Sequence, residues 1–153
     1  MKKLVKWIVA AGLLAAVGMQ FFNPPLENPK VAPDEDFIAV SAPPAEIALL
    51  LRHACYDCHS DQTTWPWYSR VAPVSWFVAG HVNDAREAMN FSEWPKDDAE
   101  SARKGLNRLV RQVQTGKMPL PSYTWMHPAS RLTGAQREQL TDWAVKTAAG
   151  LKD

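Results

Sequence analysis

Cys55-Tyr56-Asp57-Cys58-His59 contains the only two cysteines of this 153-residue chain. Two cysteines separated by two residues and followed by a histidine form the attachment pattern of a c-type haem. The two thiolates can add to the two vinyl groups of one porphyrin, and the adjacent histidine is then placed to ligate the iron. The stretch therefore predicts a fold built around one covalent haem c, with Cys55 and Cys58 as attachment points and His59 as axial iron ligand.

Other uses of a closely spaced cysteine pair fit the sequence less well. A structural zinc site usually needs a second pair of Cys or His ligands, and the chain has no second cysteine pair. A thioredoxin-like dithiol needs a βαβ context, which the surrounding sequence does not show. A disulfide across so short a loop would stabilise little. Dithiol redox chemistry and a metal-binding or structural role for the cysteines are the alternatives.

The N-terminal 22 residues have the pattern of an export signal. Lys2, Lys3 and Lys6 precede an uncharged, mostly apolar stretch over residues 7–22. We expect residues 1–22 to be a retained signal anchor, with a cleaved signal peptide as the alternative. The lysines orient the body outward, to the periplasmic side of a bacterial cytoplasmic membrane. Assembly of c-type haem on that side of the membrane agrees with export.

Charge and proline content divide the rest of the chain. The net charge is +1, so the body without the three N-terminal lysines carries about −2, which gives no electrostatic case for nucleic acid. Half of the 12 prolines lie between residues 23 and 44. Residues 23–43 are therefore predicted to be an extended linker, although residues 36–40 fit a strap on the domain surface equally well.

Residues 44–150 are predicted to form one all-α, cytochrome-c-like domain. Apolar residues recur at helical spacing in four segments. The predicted helices cover residues 45–54, 73–91 and 97–115 and begin again at Thr133, where Gln136 completes a capping box. Residues 57–72 and 116–132 are expected to be loops, and no segment alternates like a strand.

The distal iron ligand decides what such a haem does. Met118 precedes a proline in the second loop, and flanking prolines stiffen a loop enough to hold a thioether over the iron. His81, near the apolar face of the second helix, is the alternative ligand. His53, Met126, His127 and a vacant distal position are further possibilities.

Other side chains are expected near the porphyrin. The carbonyl of Pro73 is predicted to accept a hydrogen bond from the second imidazole nitrogen of His59. The predicted porphyrin-binding residues are Trp65, Tyr68, Arg70 and Trp76, with Trp67 beside them. Ordinary core packing of the rings and a surface position for Arg70 are the alternatives.

Several motifs resemble those of a known family. They are, in order, Cys55–Ser60, Thr64–Ser69, Ala72-Pro73, Ser75-Trp76, His81-Val82, Asn90–Trp94, Met118-Pro119, Tyr123 and His127-Pro128. The chain resembles the bacterial haem-binding domain family of exported, cytochrome-c-like proteins over about residues 37–147. The resemblance implies a covalent haem at Cys55 and Cys58 with His59 as axial ligand. The family's usual arginine appears at Arg86, although Asp84 and Ala85 stand where a glycine is expected.

These features predict an electron carrier with one low-spin haem, tethered at the outer face of the membrane. No side chain need act as acid, base or nucleophile, because the iron carries the chemistry, so an enzyme is not the leading hypothesis. The expected partners are periplasmic or membrane redox proteins, and the membrane itself through the N-terminal helix. A haem-based sensor or peroxidase-like domain with an exchangeable distal site is the alternative, and an accessory of a larger oxidoreductase complex is a third.

Overall fold

The computed structural model describes residues 1–95 and 97–152, which are helical and contain no β-strand. The predicted all-α fold is therefore confirmed. The helices are α1 Lys2–Met19, α2 Phe37–Ser41, α3 Ala45–Leu51, α4 Asp57–His59, α5 Val74–Ala88, α6 Ala99–Gln114, α7 Pro121–Met126 and α8 Gly134–Gly150. Single helical turns lie at Gln20–Phe22, Arg52–Tyr56, Trp67–Arg70 and Pro128–Ser130, and the turn at Arg52–Tyr56 is a π-helix.

The two longest helices of the domain, α6 and α8, pack against each other. The buried face of α6 consists of Ala102, Leu106, Leu109 and Val113, spaced three or four residues apart. The hydroxyl of Thr133 accepts a hydrogen bond from the backbone amide of Gln136, and the side chain of Gln136 accepts one from the backbone amide of Thr133. The predicted capping box is therefore present at the start of α8. Helix α3 packs against α8, whereas α4 packs against α5.

Helix α2 contributes to the core, although it lies in the proline-rich segment 23–43. Phe37 is fully buried, and its ring stacks on Phe91 with the ring centres 4.9 Å apart. Its amide donates to the carbonyl of Phe91 at 2.7 Å. The carboxylate of Asp36 accepts from the amides of Ile38 and Ala39 and so caps the helix. The buried ring of Phe37 and the hydrogen bonds that Asp36 accepts from Tyr56 and Gln62 thus join this part of the chain to the domain.

The predicted loops contain short helices. Residues 121–126 form α7, so the prediction of a continuous loop over residues 116–132 is wrong there. Pro121 occupies the first turn, where a missing amide costs nothing. The guanidinium of Arg131 donates to the carbonyl of Thr124 at 2.9 Å, which gives a hydrogen-bond partner to a carbonyl in the last turn of α7. Six residues are too few for helical periodicity to reveal such a helix.

Helix α1 stands apart from the core. No residue of α1 is buried, and Lys2–Phe22 is the one segment of the described chain long and apolar enough to cross a membrane. An N-terminal helix of this kind is either a membrane anchor or a signal sequence.

Candidate haem site

The cysteine pair and the histidine lie on a continuous helical path that starts in α3. The π-helical turn carries Cys55, and α4 carries Cys58 and His59. At Ser60 the backbone becomes extended, and its hydroxyl donates to the carbonyl of Tyr56 at 2.7 Å. The amide of Phe91 donates to the carbonyl of His59 at 2.6 Å. The motif is therefore held from both sides, by its own helix and by the segment after α5.

The imidazole of His59 has one defined tautomer. Its Nδ1 lies 3.0 Å from the carbonyl oxygen of Ala85 and 3.1 Å from that of Met89. Carbonyl oxygens only accept hydrogen bonds, so Nδ1 carries the proton and Nε2 keeps a free lone pair. The orienting carbonyls come from the end of α5, and the prediction that Pro73 supplies one is wrong.

The protonation of His59 suits a metal ligand. Burial lowers the pKa of its imidazole, the hydrogen bonds to Met89 and Ala85 partly oppose this, and the charge of Arg108 lowers the pKa further. The neutral imidazole is the form that binds iron. A carbonyl on the opposite ring nitrogen is the usual partner of a metal-ligating histidine, because it fixes the ring orientation and raises the basicity of the ligating nitrogen.

The two cysteines are free, half-buried thiols. Burial raises the pKa of Cys55 to about 12, and the charge of Cys58 adds to the effect. Burial and the charge of Asp57 raise the pKa of Cys58 to about 11, against the opposing charge of Arg86. Dithiol redox sites lower the pKa of a thiol, so these raised values argue against a thioredoxin-like role. Within the described residues, moreover, no three His, Cys, Asp or Glu side chains are grouped to hold a metal ion, which argues against zinc.

Two adjoining cavities flank His59, and we call them together the haem slot. One, of about 140 Å³, has Cys55 in its wall, and the other, of about 260 Å³, has Cys58. His59 and Met118 line both cavities. The other lining residues are mostly apolar, among them Ala54, Ala88, Phe91, Leu109, Val113, Pro119 and Leu120. Two thiols, an imidazole with a free lone pair and a thioether thus line two adjoining, mostly apolar cavities, so the residues present fit a haem.

Three hydrogen bonds fix the backbone around Met118, two of them at Met118 itself. Its amide donates to the carbonyl of Gln112 at 3.1 Å. The guanidinium of Arg137, on α8, donates to the carbonyl of Met118 at 2.9 Å and to that of Val113 at 3.0 Å. The backbone of the loop is therefore tied to both long helices at Met118.

Two further side chains in the slot bear on the choice of ligand. His81 lines the larger cavity, and its Nδ1 lies 2.8 Å from the carbonyl of Phe77, so its Nε2 also keeps a lone pair. Met89 lines the smaller cavity, but its carbonyl accepts a hydrogen bond from Nδ1 of His59. Its sulfur lies close to Gly105 of α6. Met89 therefore lies on the Nδ1 side of the His59 ring, away from Nε2.

The predicted porphyrin-binding residues occupy different places. Tyr68 lines a third cavity, of about 400 Å³, which also contains Cys58 and which we call the side cavity. Trp65, Arg70 and Trp76 are not among the residues that line the slot or the side cavity. Trp65 donates to the side chain of Asn28, Trp76 donates to a backbone carbonyl, and Arg70 is exposed.

The sequence did not predict Arg108, which lines the smaller cavity of the slot and donates to a carbonyl at the end of α5. No sequence motif around Arg108 indicates that it lines the slot.

Arg86 joins α5 to the residues that follow the motif. Its guanidinium donates to the carbonyl of Ser60 and the hydroxyl of Thr63, each at 2.9 Å. It also pairs with the buried carboxylate of Asp61 at 3.3 Å. Arg86 thus positions the motif against α5, the helix that supplies the Ala85 carbonyl to His59. It does not enter the slot.

The fold and the site together define a small helical haem-binding protein. Comparison by sequence agrees: a family model described as "Haem-binding domain" matches residues 14–146. The chain therefore belongs to the haem-binding domain family. No curated protein and no solved structure matches the chain significantly.

Proposed function

We propose that this protein is a c-type monohaem electron carrier, with its haem attached through Cys55 and Cys58 and its iron between His59 and Met118. The observation that carries the proposal is that His59 and Met118 line the same two cavities, each of which also has one of the thiols in its wall. A bound haem supplies one-electron exchange between ferric and ferrous iron.

The residues around the slot have separate roles in this proposal. The carbonyls of Ala85 and Met89 hold the His59 ring in one orientation and keep its proton on Nδ1. A thioether from Met118 favours the ferrous state and raises the reduction potential. The bonds from Arg137 hold the backbone that carries this side chain, which limits the rearrangement of the loop when the oxidation state changes. No acid, base or nucleophile takes part.

We further propose that α1 is retained as an anchor and keeps the domain on the periplasmic side of the membrane. Its uncharged stretch and its three N-terminal lysines support this orientation. The partners in electron transfer are then periplasmic or membrane-bound redox proteins.

Absorption spectra of three variants test the ligand assignment. The ferric wild type is expected to show the weak far-red charge-transfer band of thioether ligation, and Met118→Ala should abolish it. Met126→Ala is the matched control, because Met126 lines the side cavity and not the slot. If Met118→Ala keeps the band, or if His81→Ala alone changes the spectrum, the distal ligand is not Met118.

Binding of carbon monoxide separates the carrier from its chief alternative. Because an iron with two protein ligands has no free position, the reduced wild type should bind carbon monoxide slowly, and Met118→Ala should bind it rapidly. Rapid binding by the wild type would favour a sensor or peroxidase-like domain with an exchangeable distal site.

A further inference from the structure

One face of the domain presents several large apolar side chains to the surroundings. This apolar face consists of Trp67, Val71, Val74, Phe77, Trp125 and Met126. Trp67 and Trp125 are 75 % and 76 % exposed, and Phe77 is 55 % exposed. Five of the six, all but Val71, also line the side cavity, so they form one contiguous patch. Single exposed apolar residues are common, but a patch of this kind marks a surface that contacts something apolar.

The end of α1 is fastened to the edge of this face. The side-chain amide of Gln20 donates to the carbonyl of Ala72 at 3.1 Å and accepts from the amide of Ala72 at 3.0 Å. The indole of Trp76 donates to the carbonyl of Phe22 at 2.8 Å. The side chain of Asn23 accepts from the hydroxyl of Ser75. These contacts connect the last turn of the membrane-span candidate directly to the segment between Trp67 and Phe77.

The chemistry of the face suits the boundary between lipid and water. Tryptophan rings favour the level of the lipid headgroups, where one side of the ring is apolar and the other is wet. Arg70 is exposed in the same segment and provides a cation for lipid phosphates. The one carboxylate in the wall of the side cavity, that of Asp57, already accepts from the hydroxyl of Tyr123 and the amide of Thr64. These bonds hold the carboxylate against Tyr123 and Thr64 in the wall of the cavity.

We propose that the apolar face lies in the outer leaflet of the membrane that α1 crosses, so that the side cavity faces the lipid. The inference rests on the anchor in the proposed function, because α1 sets the height of the face above the membrane. It adds an orientation: Cys58, which lines both the slot and the side cavity, lies on the membrane side of the haem. Because the turn that follows α1 is hydrogen-bonded to Ala72, Ser75 and Trp76, the domain cannot turn this face away from the membrane without breaking those contacts.

Photochemical labelling of the full chain in liposomes of phosphatidylethanolamine and phosphatidylglycerol tests the proposal. A diazirine analogue of phenylalanine replaces Phe77 or Trp125 on the face, and Leu13 within α1. Val145 is the matched control, since it is also a half-exposed apolar residue but lies on α8 and does not line the side cavity. Each variant must first show the haem spectrum of the wild type, which establishes that it folds.

After illumination, mass spectrometry measures the yield of lipid adducts at each position. Positions 77 and 125 should give lipid adducts at about ten times the yield of position 145. Yields at 77 and 125 equal to the control, with strong labelling at 13, would overturn the orientation and leave the anchor intact. No labelling at position 13 would overturn the anchor itself. Adducts at 77 and 125 with a second protein chain in place of lipid would also contradict the proposal.

Discussion

Replacing Phe37 with alanine should destabilise the protein strongly, although this residue precedes the predicted domain. Its ring is fully buried, with its centre 4.2 Å from that of Trp94 and 4.9 Å from that of Phe91. Removing a buried phenylalanine costs about 3–5 kcal/mol, since the lost apolar contacts leave a cavity. We expect a value near the middle of that range, about 4 kcal/mol, because several rings lose their partner at once. At several degrees per kcal/mol, Tm should fall by roughly 15 °C.

Guanidinium unfolding of the full chain in detergent, followed by far-ultraviolet circular dichroism, measures this free energy. Val40→Ala is the matched control, because Val40 lies on the same helix but is 38 % exposed. It should change the free energy of unfolding by no more than about 0.5 kcal/mol. A loss below about 1 kcal/mol for Phe37→Ala would refute the reasoning. Residues 36–41 would then behave as part of a linker.

Four further substitutions have definite expected outcomes. Gly105→Ala should fail to stabilise α6, because the added methyl would lie 2.9 Å from a buried tryptophan ring, whereas Gly80→Ala on α5 meets open space and should gain up to about 1 kcal/mol. Thermal unfolding distinguishes them, and equal gains would contradict the packing. Arg86→Gln should cost about 3–5 kcal/mol in denaturant unfolding, since it leaves the buried carboxylate of Asp61 without its cation; a change within error would contradict this. Hydrogen bonds from the amide and the hydroxyl of Ser101 lower the pKa of Asp98. The contribution of this carboxylate to the stability of the fold is therefore present above the ordinary carboxyl pKa and is lost as the pH falls through the lowered pKa. Asp98→Asn should therefore lose less stability between pH 7 and acid than the wild type, and parallel pH curves would contradict the assignment.

Local sequence patterns predicted the long elements of the fold. Helices α6 and α8 have 16 and 17 residues, which is enough for periodicity and caps to define them. Helix α7 was not predicted, because six residues are too few to show helical periodicity. The sequence left residues 36–40 undecided between linker and strap, because the aromatic partners of Phe37 lie more than 50 residues away and nothing near it indicates which ring it meets.

The candidate site divides in the same way. Cys55, Cys58 and His59 form a contiguous motif, so the sequence alone places them together. The acceptors for Nδ1 of His59 are backbone carbonyls 26 and 30 residues away, and a carbonyl has no sequence signature. The contribution of Arg137, which fixes the Met118 loop from α8, depends on tertiary packing in the same way. Such contacts follow only from the packing of helices.

The covalent attachment of haem through both cysteines is the central claim, and the mass of the purified chain after acid–acetone extraction tests it most directly. Addition of two thiols to two vinyl groups removes no atoms, so the extracted chain should be heavier by one whole haem and should remain coloured. Replacing either Cys55 or Cys58 with alanine leaves one thioether and should still retain haem, whereas replacing both should release it. A wild-type chain that returns to the mass of its amino-acid sequence after extraction would contradict the account.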